Sequence, residues 1–233
     1  MNRRILIVSL GVFALALAVL FPLRLALGGA LGSESPLSAR QVAGSIWAGR
    51  VGDAMIGPER LGTFDVGLKP LPILTGQQHA MFERLNDPDG PLSGTLLPDP
   101  DNPGVIGLSG QLGASRLLDP LPIDSLIFDN ATARFENGSC AGASGTMTAV
   151  PAGAIRPLVP SLTGPLSCAE DGRLQLSLLG GEATLDIFIN ANGEAESILD
   201  IANVPPALAV PLGSAGFISQ GNGVRLVGGG RLL

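Results

Sequence analysis

The chain has 233 residues, 45% hydrophobic but only 4% aromatic, with 14 basic and 20 acidic side chains. Setting aside Arg3, Arg4 and Arg24, which flank an apolar N-terminus, 11 basic residues stand against 20 acidic ones, and that net charge of −9 argues against nucleic acid or an anionic surface as an electrostatic partner. The 33 glycines and 19 prolines are scattered among short Leu/Ile/Val-rich runs, a composition of strands and turns rather than of a disordered chain.

Ile5 to Phe21 is an uncharged run of 17 residues behind Met-Asn-Arg-Arg. At about 1.5 Å per residue such a run crosses most of a hydrocarbon layer about 30 Å thick, with the flanking arginines reaching toward the headgroups. It predicts a transmembrane helix over residues 5–27 and a cytoplasmic tail of residues 1–4. The alternative is a signal peptide, whose apolar core is shorter and whose best cleavage point here, near Leu27 to Ala30, is poor. Arginines before the segment, and no acidic residue until Glu34 after it, put the N-terminus in the cytoplasm and the bulk of the chain outside it. Residues 28–41 read as a connector, and residues 42–233 as one extracytoplasmic β-rich domain.

VAGSIWAG, RVGDAMI and RLGTFDVGL follow one another with glycine punctuation and predict short antiparallel strands. The only tryptophan, Trp47, falls in the first. The intervening connector makes a membrane-interface role its weaker assignment; a core anchor for the first strand is expected, with a partner contact as the alternative. In the third run Gly62, Phe64, Val66 and Leu68 share the face expected to be buried. Pro70 to Leu85 is ambiguous, its second half fitting a short helix as well as a strand. NDPDGP and LPDPDNPG each contain D-x-D, but the twelfth position from Asp99 is Gly110, where a calcium loop needs a bidentate glutamate, so both are read as turns.

Asn137-Gly138 between two alternating runs is the strongest hairpin signal in the chain. A proline-rich passage from Pro151 to Pro165 precedes strands beginning at Asp171, Gly181 and Gly193. Leu174, Leu176 and Leu178 share one face of the first, and Ala183, Leu185, Ile187 and Ile189 one face of the second, a meander with one greasy side. A further hairpin is expected at the C-terminus. The fold class is therefore mainly β: one N-terminal transmembrane helix, then an antiparallel, meander-rich domain built as a curved, one-sided sheet.

No catalytic constellation stands out. His79 is the sole histidine, and GLSGQ and GASGT lack the spacing of a nucleophile elbow. Asp124 with Asp129, or Glu182 with Asp186, are carboxylate pairs of the kind any chain this acidic supplies. GGALG and VGGGR lack the lysine and the strand-to-helix setting of a phosphate loop. Cys140 and Cys168 make one candidate disulfide in an oxidising compartment, with two buried thiols as the alternative; a single histidine leaves no metal reading.

The apolar segment, GSIWAGR, LGTFDVGLKPLPILTG, ARFENGSCAGASGTMTA, LTGPLSCAEDGRLQLSLL and the closing three-strand run resemble, in order and spacing, type II secretion system protein N of the general secretion pathway. The resemblance implies a single-pass accessory protein of the bacterial inner membrane with a periplasmic domain. Its partners would be other secretion-system envelope proteins, in the inner-membrane platform, the secretin or the pseudopilus. It implies no catalytic residues and no cofactor. A membrane-anchored, lipid-binding envelope protein is the alternative that a one-sided greasy sheet suggests.

Overall fold

The computed structural model describes residues 3–30, 37–84, 87–88, 90–99, 101–116 and 118–231. Met1 and Asn2 of the expected tail, residues 31–36 of the expected connector, and Leu85, Asn86, Asp89 and Pro100 of the two D-x-D turns lie outside the described residues.

The apolar N-terminus forms two helices, α1 (Arg3–Val19) and α2 (Leu23–Ala30), where one helix over 5–27 is expected. Pro22 accounts for the break: it offers no amide hydrogen to a continuing helix and pushes the residue before it out of the helical region. No described helix is long and apolar enough to cross a membrane. Along α1, Ile5, Ile7, Val8, Leu10, Val12, Phe13, Leu17 and Val19 are all exposed. At helical spacing these residues point in every direction around the axis, so α1 has no polar face of its own to turn to water.

Among the described residues fourteen strands follow: β1 (Leu37–Gly44), β2 (Gly49–Ile56), β3 (Glu59–Leu68), β4 (Ala80–Arg84), β5 (Leu92–Leu97), β6 (Gly104–Gly113), β7 (Ile123–Glu136), β8 (Ser139–Pro151), β9 (Leu162–Cys168), β10 (Leu174–Gly180), β11 (Ala183–Ile189), β12 (Glu194–Ile201), β13 (Ile218–Gln220) and β14 (Gly223–Arg231). They form one antiparallel sheet in which every strand lies beside its sequence neighbours until the end, where β14 is inserted between β12 and β13. β1 starts inside the stretch expected as connector, and α2 packs beside it.

The two-residue alternation decides which face is buried. Leu174, Leu176 and Leu178 on β10, Ala183, Leu185 and Ile187 on β11, and Leu199 and Ile201 on β12 are at most 6% exposed. The chain itself covers this face. Leu118 and Leu121 come from the β6–β7 connection, and Ile155 and Val159 from the β8–β9 connection. Leu212 comes from helix α4 (Pro206–Ser214), and Phe217 follows it. Each fully buried side chain of this size contributes roughly 1.5–3 kcal/mol, so the C-terminal half holds the main store of apolar stabilisation.

A smaller cluster of Ala54, Phe64 and Leu92 organises the N-terminal half, with Val51, Val66, Phe82 and Leu112 packed against it. Phe64 and Phe82 meet edge to face with ring centroids 5.9 Å apart. Leu108 and Phe128 touch both clusters, so a single apolar face runs from β2 to β12 and β14. Arg84, only 1% exposed, lies at the margin of the smaller cluster. Its guanidinium donates to the carbonyls of Gly90 at 2.9 Å, Leu61 at 2.6 Å and Gln111. Leu61 is on β3 and Gln111 on β6, three places away in the strand order, so one side chain reaches both only because the sheet curls tightly here.

The opposite face carries polar networks between exposed apolar residues such as Ile127, Leu179 and Val227. Ser177 Oγ donates to Asp186 at 2.6 Å and receives a bond from Gln175, while Arg225 grips Asp200 with two bonds of 2.7 and 2.9 Å. Arg173 reaches Asp171 and Glu196 and lies 4.4 Å from the Phe188 ring centre.

Candidate functional site

The segment that carries Trp47 turns a corner. β1 ends at Gly44, whose φ of +87° suits glycine, and an added Cβ would run into the main chain of Ala48. The Ser45 amide then donates to the Ala48 carbonyl at 3.1 Å and the Ala48 amide to Ser45 Oγ at 3.3 Å, which closes the loop before β2 begins. Trp47 therefore lies in the β1–β2 connection, half-buried, rather than within a strand.

Two further main-chain bonds fix this corner. Ile46 donates to the carbonyl of Phe21 at 3.0 Å and accepts from the amide of Leu68 at 2.8 Å. Pro22 bridges Ser45, and Leu23, 6% exposed, packs over Gly49. Gly67 carries no side chain because the Trp47 carbonyl occupies the space a Cβ would need. Since Gly67 alternates with Phe64 and Val66, the Trp47 main chain lies on the polar face of the sheet, opposite the phenylalanine cluster.

An open groove of about 960 Å³ runs from this corner over β2 to β6, lined by Trp47, Arg50, Asp65, Met81, Glu83 and Thr95 among others. Arg50 spans its floor, giving Asp65 two bonds of 2.6 and 3.0 Å. That hydrogen bonding, more than the charge itself, holds the Asp65 carboxyl below the usual range against an opposing cost of desolvation. Lys69 Nζ donates to Thr95 Oγ1 at 3.4 Å.

Beside the groove the β3–β4 connection forms helix α3 (Pro70–Leu74). The ambiguity of this stretch resolves with the helix in its first half and β4 in its second. Proline is tolerated in a first helical turn, and the helix stops where Thr75 Oγ caps the Pro72 carbonyl at 2.8 Å and Gly76 adopts a φ of +80°. Leu71 on this helix is 76% exposed and Ile73 37%.

The remaining candidates do not converge. His79 lies between α3 and β4, where its carbonyl accepts from the Lys69 amide at 2.9 Å. Asp124 and Asp129 are both exposed along β7, Glu182 is in the β10–β11 turn, and Asp186 is held in the serine ladder. Among the described residues no group of three or more His, Cys, Asp or Glu is placed to hold a metal ion. Cys140 and Cys168 are joined in a disulfide, with Cα atoms 5.5 Å apart, where β8 and β9 diverge beyond the Thr146–Pro165 pair. Two features carried no local sequence signal: the burial of Arg84, whose acceptors come from distant segments, and the return of residue 46 to residue 21.

These features define an all-antiparallel, single-sheet protein whose apolar face is filled by its own connections and which carries a separate apolar helix. The chain belongs to the type II secretion system (T2SS) protein N family, whose model matches residues 35–226. The protein is thus an accessory component of the type II secretion apparatus. No curated protein and no solved structure matches the chain.

Proposed function

We propose that this protein is a membrane-tethered assembly or adaptor subunit, its N-terminus cytoplasmic and its sheet periplasmic, that joins other envelope subunits of the type II apparatus during export of folded proteins. The tether rests on α1, on which Ile5, Ile7, Val8, Leu10, Val12, Phe13, Leu17 and Val19 are exposed and whose 17 residues reach about 26 Å, close to the thickness of a hydrocarbon layer. The paired arginines before it favour a cytoplasmic N-terminus.

The observation that carries the adaptor role is the edge of β14. β12 pairs its residues Glu194 to Ile201 with Arg231 to Val224 of β14, whereas β13 covers only Gly223 to Arg225 on the other side. Among the described residues, Leu226 to Arg231 therefore offer one unpaired backbone edge, with Val227 51% exposed. An incoming strand gains main-chain hydrogen bonds at such an edge. The adaptor reading is preferred to lipid carriage because Leu118, Leu121, Ile155, Val159, Leu212 and Phe217 already fill the larger, C-terminal part of the greasy face that would hold an acyl chain.

A photo-activatable cross-linker at Val227 of the full chain, in cells that assemble the apparatus, tests the proposal. Adducts with another apparatus subunit are expected, together with loss of export when the chain is deleted. Unimpaired export without the chain, or cross-links to phospholipid alone, would sink the adaptor role.

A further inference from the structure

The end of α1 and the Trp47 corner meet in space. The chain leaves Phe21, passes through α2 and β1, and returns so that Ile46 donates to the Phe21 carbonyl at 3.0 Å. The sequence distance that separates Trp47 from the apolar segment is thereby cancelled. The same end of the sheet carries α3, because Leu68, bonded to Ile46, is two residues from its first turn.

This end is unusually greasy for a set of β-sheet corners, which are ordinarily built of polar turn residues. Leu20 is 71% exposed, Phe21 41% and Leu71 76%. Leu20 and Phe21 extend the exposed apolar surface of α1 to this corner, and Leu71 stands on α3 at the same end of the sheet.

We infer that this end of the sheet rests on the bilayer that α1 enters, with Trp47 in the headgroup region and Leu71 and Ile73 directed toward the acyl chains. The inference rests on the membrane tether proposed above: a bilayer that takes up α1 as far as Phe21 lies against residues one hydrogen bond away. The occupant is lipid rather than a protein partner because the corner is hydrogen-bonded through Ile46 to Phe21, at the end of the segment that the bilayer takes up. Its contact is apolar, so the net charge of −9 beyond position 24 does not oppose it. An indole placed at the rim of a spanning segment matches the aromatic belt of membrane proteins. The corner would thus hold the sheet at a fixed height and tilt above the membrane instead of leaving it on a free tether.

Because the chain has one tryptophan and no tyrosine, its emission reports Trp47 alone. The full chain is reconstituted into phosphatidylcholine vesicles whose acyl chains carry bromine either near the headgroup or near the terminal methyl. Emission should fall by roughly half with the shallow label and clearly less with the deep one, as expected of a belt residue. Unquenched emission with both labels, while the chain still floats with the vesicles and resists alkaline extraction, would overturn the corner contact and leave the tether standing. A chain that alkali strips from the vesicles would overturn the tether itself. Leu71→Glu with Ile73→Glu should keep the chain in the vesicles and abolish shallow quenching; persistence of quenching in a folded double variant would overturn the role of α3. Leu71→Trp in a Trp47→Phe background reads α3 directly, and equal emission with and without shallow bromine would count against the inference.

Discussion

Arg84 Nη1 donates to the carbonyl of Leu61 at 2.6 Å, and the same guanidinium reaches Gly90 and Gln111. A charged side chain that is 1% exposed thus fastens β3, the β4–β5 turn and β6 together, 5.9 Å from the Phe64 ring centre. Charges are buried at this depth only where hydrogen bonds replace lost hydration, and the three carbonyls do so.

Arg84→Leu should therefore cost about 3 kcal/mol, because it removes the bonds that a buried guanidinium makes to three separate segments rather than a mere contact. Denaturant unfolding of the full chain in detergent measures it. A loss below about 0.5 kcal/mol would show that the curl is held by packing alone.

Gly67→Ala should push the Trp47 carbonyl away from the sheet. The expected cost is about 1–3 kcal/mol, the range for forcing extra volume into a filled site. A shift of Trp47 emission to longer wavelength should accompany it, and an unchanged spectrum would contradict the packing of the corner on β3.

Trp47→Ala should cost less than the roughly 3–5 kcal/mol typical of a fully buried aromatic residue, because the indole is half-buried in a connection. Thermal unfolding of the detergent-solubilised chain, followed by circular dichroism, would reveal a true core role as a loss at the top of that range.

Replacing Cys140 and Cys168 by serine opens a link with a sequence separation of 28 residues. Loop-closure entropy predicts a loss of roughly 3–4 kcal/mol. Unfolding with and without reductant should reproduce that difference in the natural chain and show none in the double variant.

The Arg50–Asp65 pair sets a sign for acid sensitivity. The Asp65 pKa is lowered in the folded chain, so the contribution of the pair is fully present above the unfolded carboxyl value near 3.9 and is lost as pH falls through the lower folded value. Both side chains are more than half exposed, so the effect on stability at neutral pH is small. Arg50→Ala should return the Asp65 titration midpoint toward the ordinary range in a carbon-detected NMR titration; an unmoved midpoint would discount the bond.

The legible parts of the fold are those whose cause is local. Asn137 and Gly138 adopt φ values of +51° and +81°, which their own chemistry allows, and β7 and β8 pair around them. Leu174 to Ile201 alternate cleanly because one face is buried and the other wet. Trp47 misleads because Ile46 is placed by Phe21 and Leu68, contacts that no local pattern encodes. Residues 37–41 hide a strand because β1 is a largely exposed edge and needs no alternation. The helix α4 escapes notice because Pro205, Pro206 and Pro211 read as loop, although Pro205 and Pro206 stand at the helix start, where proline costs little, and only Pro211 lies inside it. The groove floor follows the same rule: Arg50 and Asp65 are 15 positions apart and meet only through the pairing of β2 with β3.

The strand order has a consequence for assembly. From β1 to β12 each strand needs only the one made just before it, so the sheet can grow by adding hairpins to a finished edge as the chain emerges, without waiting for distant partners. Only the last step departs from this sequence. β13 appears before its neighbour exists, and β14 must slot in between it and β12. Closure of this part of the sheet is thus reserved for β14, and the edge proposed for recruitment comes into being only when β12 is in place.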